Sequence, residues 1–327
     1  MTLLISEDDV KKLPLSARDA ITIIEETFRQ SGLGNAENPA RFRMPFKNGF
    51  LQFGPAALHD RKVVGFKLWA NLGKGTGVHK NKSGHGTNFL YDSESGDLLA
   101  LVHAYQIGKM RTSAVSAVAA KYLSRQSAST IGLYSAGRIA EGQLEAVCAV
   151  RNIRKVKVFS RRKPEREDFC RRMMEKLGIN VLAVDSPESV PEGADIIITA
   201  STAEQPILFG EWIRQPALII AAGANHWYKR ELDGKVIEKA QLVVCDEKGQ
   251  SRVESGNLLW AIAHGIVTWD KIEELGDVVT GRVKVPDLST STVVFTSHGL
   301  AINDVAMTVK TYELALQLGV GTPIDLG

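Results

Sequence analysis

Apolar side chains recur at helical spacing at Ala20, Ile21, Ile24 and Phe28, behind Ser16 and Asp19, a hydroxyl N-cap with an acid three residues further on. The pattern predicts an amphipathic helix that runs to Gly32. From Asn38 to about Gly108 the helical period disappears, and Phe50–Phe53, Val63–Trp69 and Asn88–Asp92 read as strands among loops. Further along, a third rhythm sets in. Short apolar runs at Thr130–Tyr134, Lys155–Ser160, Val181–Val184, Asp195–Thr199, Leu218–Ala222 and Leu242–Asp246 alternate with amphipathic stretches such as Arg138–Arg151 and Pro164–Leu177. That alternation predicts a Rossmann-type, doubly wound parallel sheet, an α/β arrangement that binds nucleotides. A last strand, Val293–Thr296, leads into a closing helix from about Ile302 to Leu318, whose Val305, Val309, Leu314 and Leu318 are spaced to dock on the opening region.

Composition narrows the function classes. With 327 residues, 44% of them hydrophobic and 24% charged, the chain can bury the core of one large or two medium domains and is not a disordered or fibrous protein. Its formal charge is only +3, and the longest basic run is Arg161-Arg162-Lys163, so no nucleic-acid partner is expected. No stretch approaches the roughly 20 apolar residues of a membrane span, so no membrane partner is expected either. Cys148, Cys170 and Cys245 are odd in number and scattered, without metal-ligand spacing. The expectation is a cytoplasmic protein, without a metal site, that works on small molecules.

The first strand of the parallel sheet ends in a turn of small residues, in which Ser135, Ala136 and Gly137 precede Arg138, Ile139 and Ala140. Gly137 would let backbone N–H groups approach a pyrophosphate at the start of the next helix, and Ala140 would let that helix pack closely. Ser135 stands where a dinucleotide fold has its first glycine. At the end of the second strand, enzymes that use NAD place an acid on the adenosine ribose, whereas this chain has Ser160, Arg161 and Arg162. A hydroxyl and two guanidinium groups suit a 2′-phosphate, so the expected cofactor is NADP(H), with NAD(H) as the alternative.

The segment from Arg111 through Thr112, Ala114, Ser116 and Ala117 to Leu123 resembles the ornithine cyclodeaminase/mu-crystallin family, and the likeness extends over nearly the whole chain. It takes in Lys67, Asp92 and Gly96, the turn at Gly137, Gly223-Ala-Asn225, Arg230-Glu-Leu232 and the run from Ser297 to Asp304. The resemblance implies a homodimer. It also implies an α+β substrate-binding and dimerisation domain, residues 1–112 plus 303–327, beside a Rossmann domain of residues 113–302. The chemistry implied is NAD(P)-dependent and acts on amino or imino acids. Thr112, Thr199, Ala200, Ser201, Asn225, His298 and Gly299 then join the turn residues and Ser160, Arg161 and Arg162 as expected cofactor contacts.

Such a substrate carries a carboxylate, which Arg111 would clamp bidentately. Arg41 matches a second carboxylate contact, although Arg43, two residues on, would face the same side of a strand. Lys67, after an apolar run, is expected to bind substrate and to have a lowered pKa suited to exchanging a proton with an imine or amine. Asn225 stands where ornithine cyclodeaminases and related alanine dehydrogenases have an aspartate, and an amide is no general base. It would instead orient substrate or nicotinamide. His298 is the other expected proton donor. The glycine-rich loop across residues 71–86, with Lys74, His79, Lys80, Lys82 and His85, is expected to act as a lid that meets a second acidic group of the substrate. The leading expectation is NADPH-dependent reduction of an imine or imino acid, the hydride transfer of a ketimine reductase or amino-acid dehydrogenase. The alternatives are an ornithine cyclodeaminase, which Asn225 disfavours, and a non-catalytic protein that binds NADPH and a small ligand.

Overall fold

The computed structural model describes residues 1–71 and 84–325; most of the expected lid, residues 72–83, lies outside them. The chain divides into two compact units, Met1–Arg111 with Leu300–Gly327, and Thr112–Gly299.

The first unit opens with β1 (Thr2–Ile5), α1 (Glu7–Lys12) and α2 (Ala17–Gly32), followed by β2 (Ala36–Glu37), β3 (Phe42–Phe46), β4 (Gly49–Leu58), β5 (Val63–Asn71), β6 (His85–Asp92) and β7 (Leu98–His103). Helix α2 starts as its sequence dictates: Ser16 Oγ accepts from Asp19 N–H while the Asp19 carboxylate accepts from Ser16 N–H. The strands form an eight-stranded sheet, ordered β16-β1-β7-β6-β5-β4-β2 with β3 on β4. Helix α3 (Tyr105–Leu123) carries the chain across the unit boundary, between Arg111 and Thr112. It begins before Gly108, in a stretch expected to be strand and loop. Its small and apolar residues, from Ser113 to Ala120, are almost all buried, so it shows no amphipathic stripe by which sequence could reveal it.

The second unit continues with β8 (Thr130–Tyr134), α4 (Arg138–Cys148), β9 (Lys155–Phe159), α5 (Lys163–Leu177), β10 (Asn180–Ala183), β11 (Ile196–Thr199), β12 (Leu218–Ala221), α6 (Gly234–Glu238), β13 (Leu242–Cys245), α7 (Lys248–Glu254), α8 (Gly256–Ala263), β14 (Ile272–Glu274), α9 (Leu275–Val279) and β15 (Val293–Thr296). Its strands run in the order β10-β9-β8-β11-β12-β15-β13-β14, every neighbouring pair parallel. The strand order reverses direction between β8 and β11, the switch point at which doubly wound sheets bind ligands outside the carboxyl ends of their strands. β11 and β12 are buried along their full length, the signature of a sheet covered on both faces.

The chain then re-enters the first unit with α10 (Ala301–Leu318) and β16 (Thr322–Ile324). Val305 and Val309 are buried as their spacing demands, but Leu314 is only half-buried and Leu318 is exposed. The apolar spacing thus continues past Ala315, the last buried residue of α10.

Candidate functional site

In the first unit, register decides which side chains meet. Gly54, Lys67 and Asn88 pair across β4, β5 and β6 and share one face of the sheet. A Cβ on Gly54 would lie 3.1 Å from Ala301 Cβ and 3.5 Å from Arg41 Cβ, so the glycine admits both helix α10 and Arg41. Lys67 Nζ donates to Asp304 Oδ1 at 2.8 Å, and Arg111 Nε donates to the same oxygen at 3.2 Å. All three residues are buried. Lys67 Nζ also lies 5.3 Å from the ring centre of Trp69. Burial pushes the Lys67 ammonium below its usual range; Asp304 opposes this, while Arg111 and Arg41 add to it. Burial would raise the Asp304 carboxyl, but Arg111 and Lys67 outweigh it and hold the group below the ordinary value of 3.8.

Arg41 and Arg43 are separated by their surroundings. Arg43 Nε donates to Gln52 Oε1 at 3.0 Å and its guanidinium lies 5.2 Å over the Phe50 ring, whereas Arg41 stands beside Gly54, the strand partner of Lys67. The structure thus places Arg41, Lys67 and Arg111 near one another, around a carboxylate to which sequence assigned no role. Asp304 closes the Ser297–Asp304 run that carries the family likeness and puts a charge inside a largely apolar helical stretch, the two signals from which its role could have been read. Asn88 was missed as well. Its Nδ2 donates to Thr308 Oγ1 at 2.8 Å, and that hydroxyl donates to the Asp304 carbonyl at 2.7 Å.

In the second unit the expected cofactor residues line the carboxyl edge of the parallel sheet. Ser135, Ala136 and Gly137 follow β8; Ser160, Arg161 and Arg162 follow β9; Thr199 ends β11, and Ala200 and Ser201 follow it. Asn225 lies beyond β12, and His298 and Gly299 beyond β15. Thr112, on α3, accepts from Gln143 Nε2 through its carbonyl at 3.2 Å. Arg162 pairs with Glu165 at 2.9 Å, and Arg166 donates to the Ser160 carbonyl at 2.9 Å, which fixes the start of α5.

Two buried acids tie these turns together. Asp246 Oδ2 accepts from the N–H groups of His298 at 2.7 Å and Gly299 at 2.9 Å and from Ser297 Oγ at 3.2 Å. The His298 ring is oriented in turn, with Nδ1 3.2 Å from the Ala224 carbonyl, one residue before Asn225. A carbonyl only accepts, so Nδ1 carries the hydrogen in this contact. Glu231, the second acid, binds the turns after β11 and β12. Sequence placed Glu231 inside the Arg230-Glu-Leu232 motif and Asp246 at the end of a predicted strand but gave neither acid a role, because each acts on groups of other turns.

The turn after β8 suits a dinucleotide. Ser135 has φ +137°, a conformation natural to the glycine it replaces. Its Oγ accepts from Gly137 N–H at 3.2 Å. Gly137 is the N-cap of α4 and offers no side-chain cap, and a Cβ built on it would meet only Ser135 Oγ, at 3.5 Å. The turn therefore leads into the N-terminus of an 11-residue helix without a side-chain cap, the geometry of an anion site at a helix N-terminus. Among the described residues no cluster of His, Cys, Asp or Glu could hold a metal ion, and no helix is long and apolar enough to cross a membrane.

Comparison with known proteins points to one family. The model of the ornithine cyclodeaminase/mu-crystallin family matches residues 1–318. The solved Thermococcus litoralis Δ1-pyrroline-2-carboxylate reductase, in complex with NADH and L-proline, is similar with a TM-score of 0.91 and 34% identity, over 99% of this chain and all of that one. An archaeal alanine dehydrogenase dimer with bound NAD superposes with a TM-score of 0.91 and 29% identity, over 100% of this chain and 99% of that one. The ketimine reductase mu-crystallin of Rattus norvegicus is 31% identical over 86% of each chain.

Proposed function

The chain belongs to the ornithine cyclodeaminase/mu-crystallin family, and from that premise we propose that it is a nicotinamide-dependent oxidoreductase that reduces the C=N bond of a small imino acid, or oxidises the matching amine in reverse. The observation that carries this is the imbalance of buried charge at Asp304. One carboxylate oxygen serves both Lys67 and Arg111, and the field of Arg41 reaches the same lysine. Burying more cations than anions is expensive, and a substrate carboxylate is the ligand that restores the balance.

When bound, the dinucleotide supplies a hydride from nicotinamide C4 to the C=N carbon, and one proton completes the amine. Arg111 and Arg41 hold the carboxylate and set the orientation of the C=N bond. Lys67, its pKa lowered by burial and its ammonium anchored on Asp304, exchanges the proton at the nitrogen. His298 is the second proposed proton donor, its ring held by the Ala224 carbonyl. Asn225 orients substrate or carboxamide by hydrogen bonds. As an amide it cannot activate water, which disfavours ring closure with loss of ammonia.

NADP(H) is the proposed preference over NAD(H), on the strength of Ser160, Arg161 and Arg162 at the end of β9. A homodimer belongs to the same proposal, and the supporting feature is the outer face of the first sheet. Phe42 and Phe53 are register partners, Phe42, Met44 and Phe53 are exposed, and the ring row continues from Phe53 to Phe66 at 5.0 Å and on to Phe89 at 4.4 Å. A second copy would cover this patch. A cytoplasmic location is proposed from three free cysteines.

The test is NADPH consumption against a panel of cyclic imino acids and of α-keto acids mixed with ammonia or methylamine, with NADH in parallel. Turnover with a carboxylate-bearing imine is the expected result. Proline and ammonia formed from ornithine, with no turnover on any imine, would refute the reductase in favour of a cyclodeaminase.

A further inference from the structure

Glu231 is fully buried, and both of its oxygens are used. Oε1 accepts from Ser201 N–H and Ser201 Oγ, each at 2.7 Å, while Oε2 accepts from Thr199 Oγ1 at 2.9 Å and Gly223 N–H at 2.8 Å. Among the described residues no cation pairs with it. A buried carboxylate compensated only by dipoles is a costly thing to keep, and burial does push its pKa up against the pull of the four donors.

The residue is also held from behind. Asn257 Oδ1 accepts from Glu231 N–H at 2.9 Å and Leu232 N–H at 3.2 Å, while the Glu231 carbonyl accepts from Ile207 N–H at 2.9 Å and Leu208 N–H at 3.0 Å. Its carboxylate therefore acts from a fixed point. What it grips are the turns after two adjacent parallel strands, β11 and β12. A Cβ on Gly223 would stand 2.3 Å from the Ser201 carbonyl oxygen and 2.5 Å from Glu231 Oε1, so the two turns and the acid are packed with no room for a side chain.

These turns lie on one side of the switch point. The pyrophosphate turn after β8 and the Ser160–Arg162 corner after β9 occupy the other side. A dinucleotide laid along the carboxyl edge with its adenosine at β9 has its other half at β11 and β12. We propose that Glu231 is a positioning residue for the nicotinamide half of the cofactor, stapling the turns after β11 and β12 into one platform. This rests on the dinucleotide reading above.

The experiment compares equilibrium binding of NADPH and of 2′,5′-ADP, by calorimetry, to the full wild-type chain and to Glu231→Gln. The amide replaces one acceptor oxygen with a donor, so the backbone N–H of either Ser201 or Gly223 loses its partner. The expected result is a rise of roughly tenfold or more in the NADPH Kd with the 2′,5′-ADP Kd changed less than about twofold. Equal weakening of both ligands, which a merely structural role would produce, or no change in either, would overturn the proposal. If Glu231→Gln does not fold, Thr199→Val removes a single donor and should give a smaller loss confined to NADPH; a loss shared with 2′,5′-ADP, or none, counts against the staple. A wild-type chain that binds neither ligand, nor NADH, would overturn the dinucleotide reading itself and this inference with it.

Discussion

Replacing Asp304 by asparagine keeps the shape of the side chain and removes the anion that, among the described residues, pairs with both Lys67 and Arg111. Removing one partner of a buried pair costs about 3–5 kcal/mol, because the remaining charge is left unpaired in a poor solvent. Arg111 cannot shed its proton, but Lys67 can. Releasing it at pH 7 costs about 1.4 kcal/mol for each unit below the usual lysine value, at most roughly 4–5 kcal/mol, and burial already makes the release easier. The expected loss is therefore about 3–4 kcal/mol at pH 7, read as a lower denaturation midpoint in urea. The pH dependence carries the sign. The folded pKa of Asp304 is depressed, so its contribution is fully present above the ordinary value of 3.8 and is lost as pH falls through the lower folded value. On the alkaline side, the variant with a neutral folded Lys67 gains stability as pH rises toward the unfolded lysine value of 10.5, and the gap narrows by up to about 1.4 kcal/mol per pH unit over the range in which the wild-type Lys67, itself depressed by burial, is still charged. The difference between the two proteins is thus widest near neutrality. A variant within about 1 kcal/mol of wild type at pH 7, or a gap that does not move with pH, would refute the buried-cluster account.

Arg111→Leu should cut kcat/KM for a carboxylate substrate by roughly 30- to 1000-fold through KM, the loss of a buried charge-assisted pair, and an unchanged KM would take Arg111 out of the site. Arg161→Asp should shift the ratio of kcat/KM for NADPH over NADH by roughly tenfold or more toward NADH; a fixed ratio would dismiss the 2′-phosphate corner. At Ser135, where φ is +137°, valine should be disfavoured by on the order of 1–3 kcal/mol and weaken dinucleotide binding, while glycine should be nearly neutral in both. Thermal midpoints and Kd values for the two variants check this, and equal behaviour of valine and glycine would contradict it.

Much of the second unit was legible in the linear order of residues. Strands such as Thr130–Tyr134 and Val293–Thr296 and the phosphate turn between β8 and α4 follow from periodicity and spacing, which depend on neighbours a few positions apart. So does the N-terminal box of α2, and Arg111 and Lys67 were reachable through the motifs around them. Helix α3 was not, since its middle, Ser113 to Ala120, is buried on every side and has no polar stripe to mark its period. What only the tertiary structure decided is who meets whom. Lys67 and Asp304 are 237 residues apart, and their contact depends on which face of β5 the lysine occupies and on α10 returning to cover that face. Arg41 comes to stand beside the strand partner of Lys67 through the gap left at Gly54, and the grip of Glu231 on Thr199, Ser201 and Gly223 turns on two strands lying side by side. Local order encodes elements because backbone preferences act over a turn or a pleat. Charges buried far from their chain neighbours acquire partners, and so chemistry, only when packing brings those elements together.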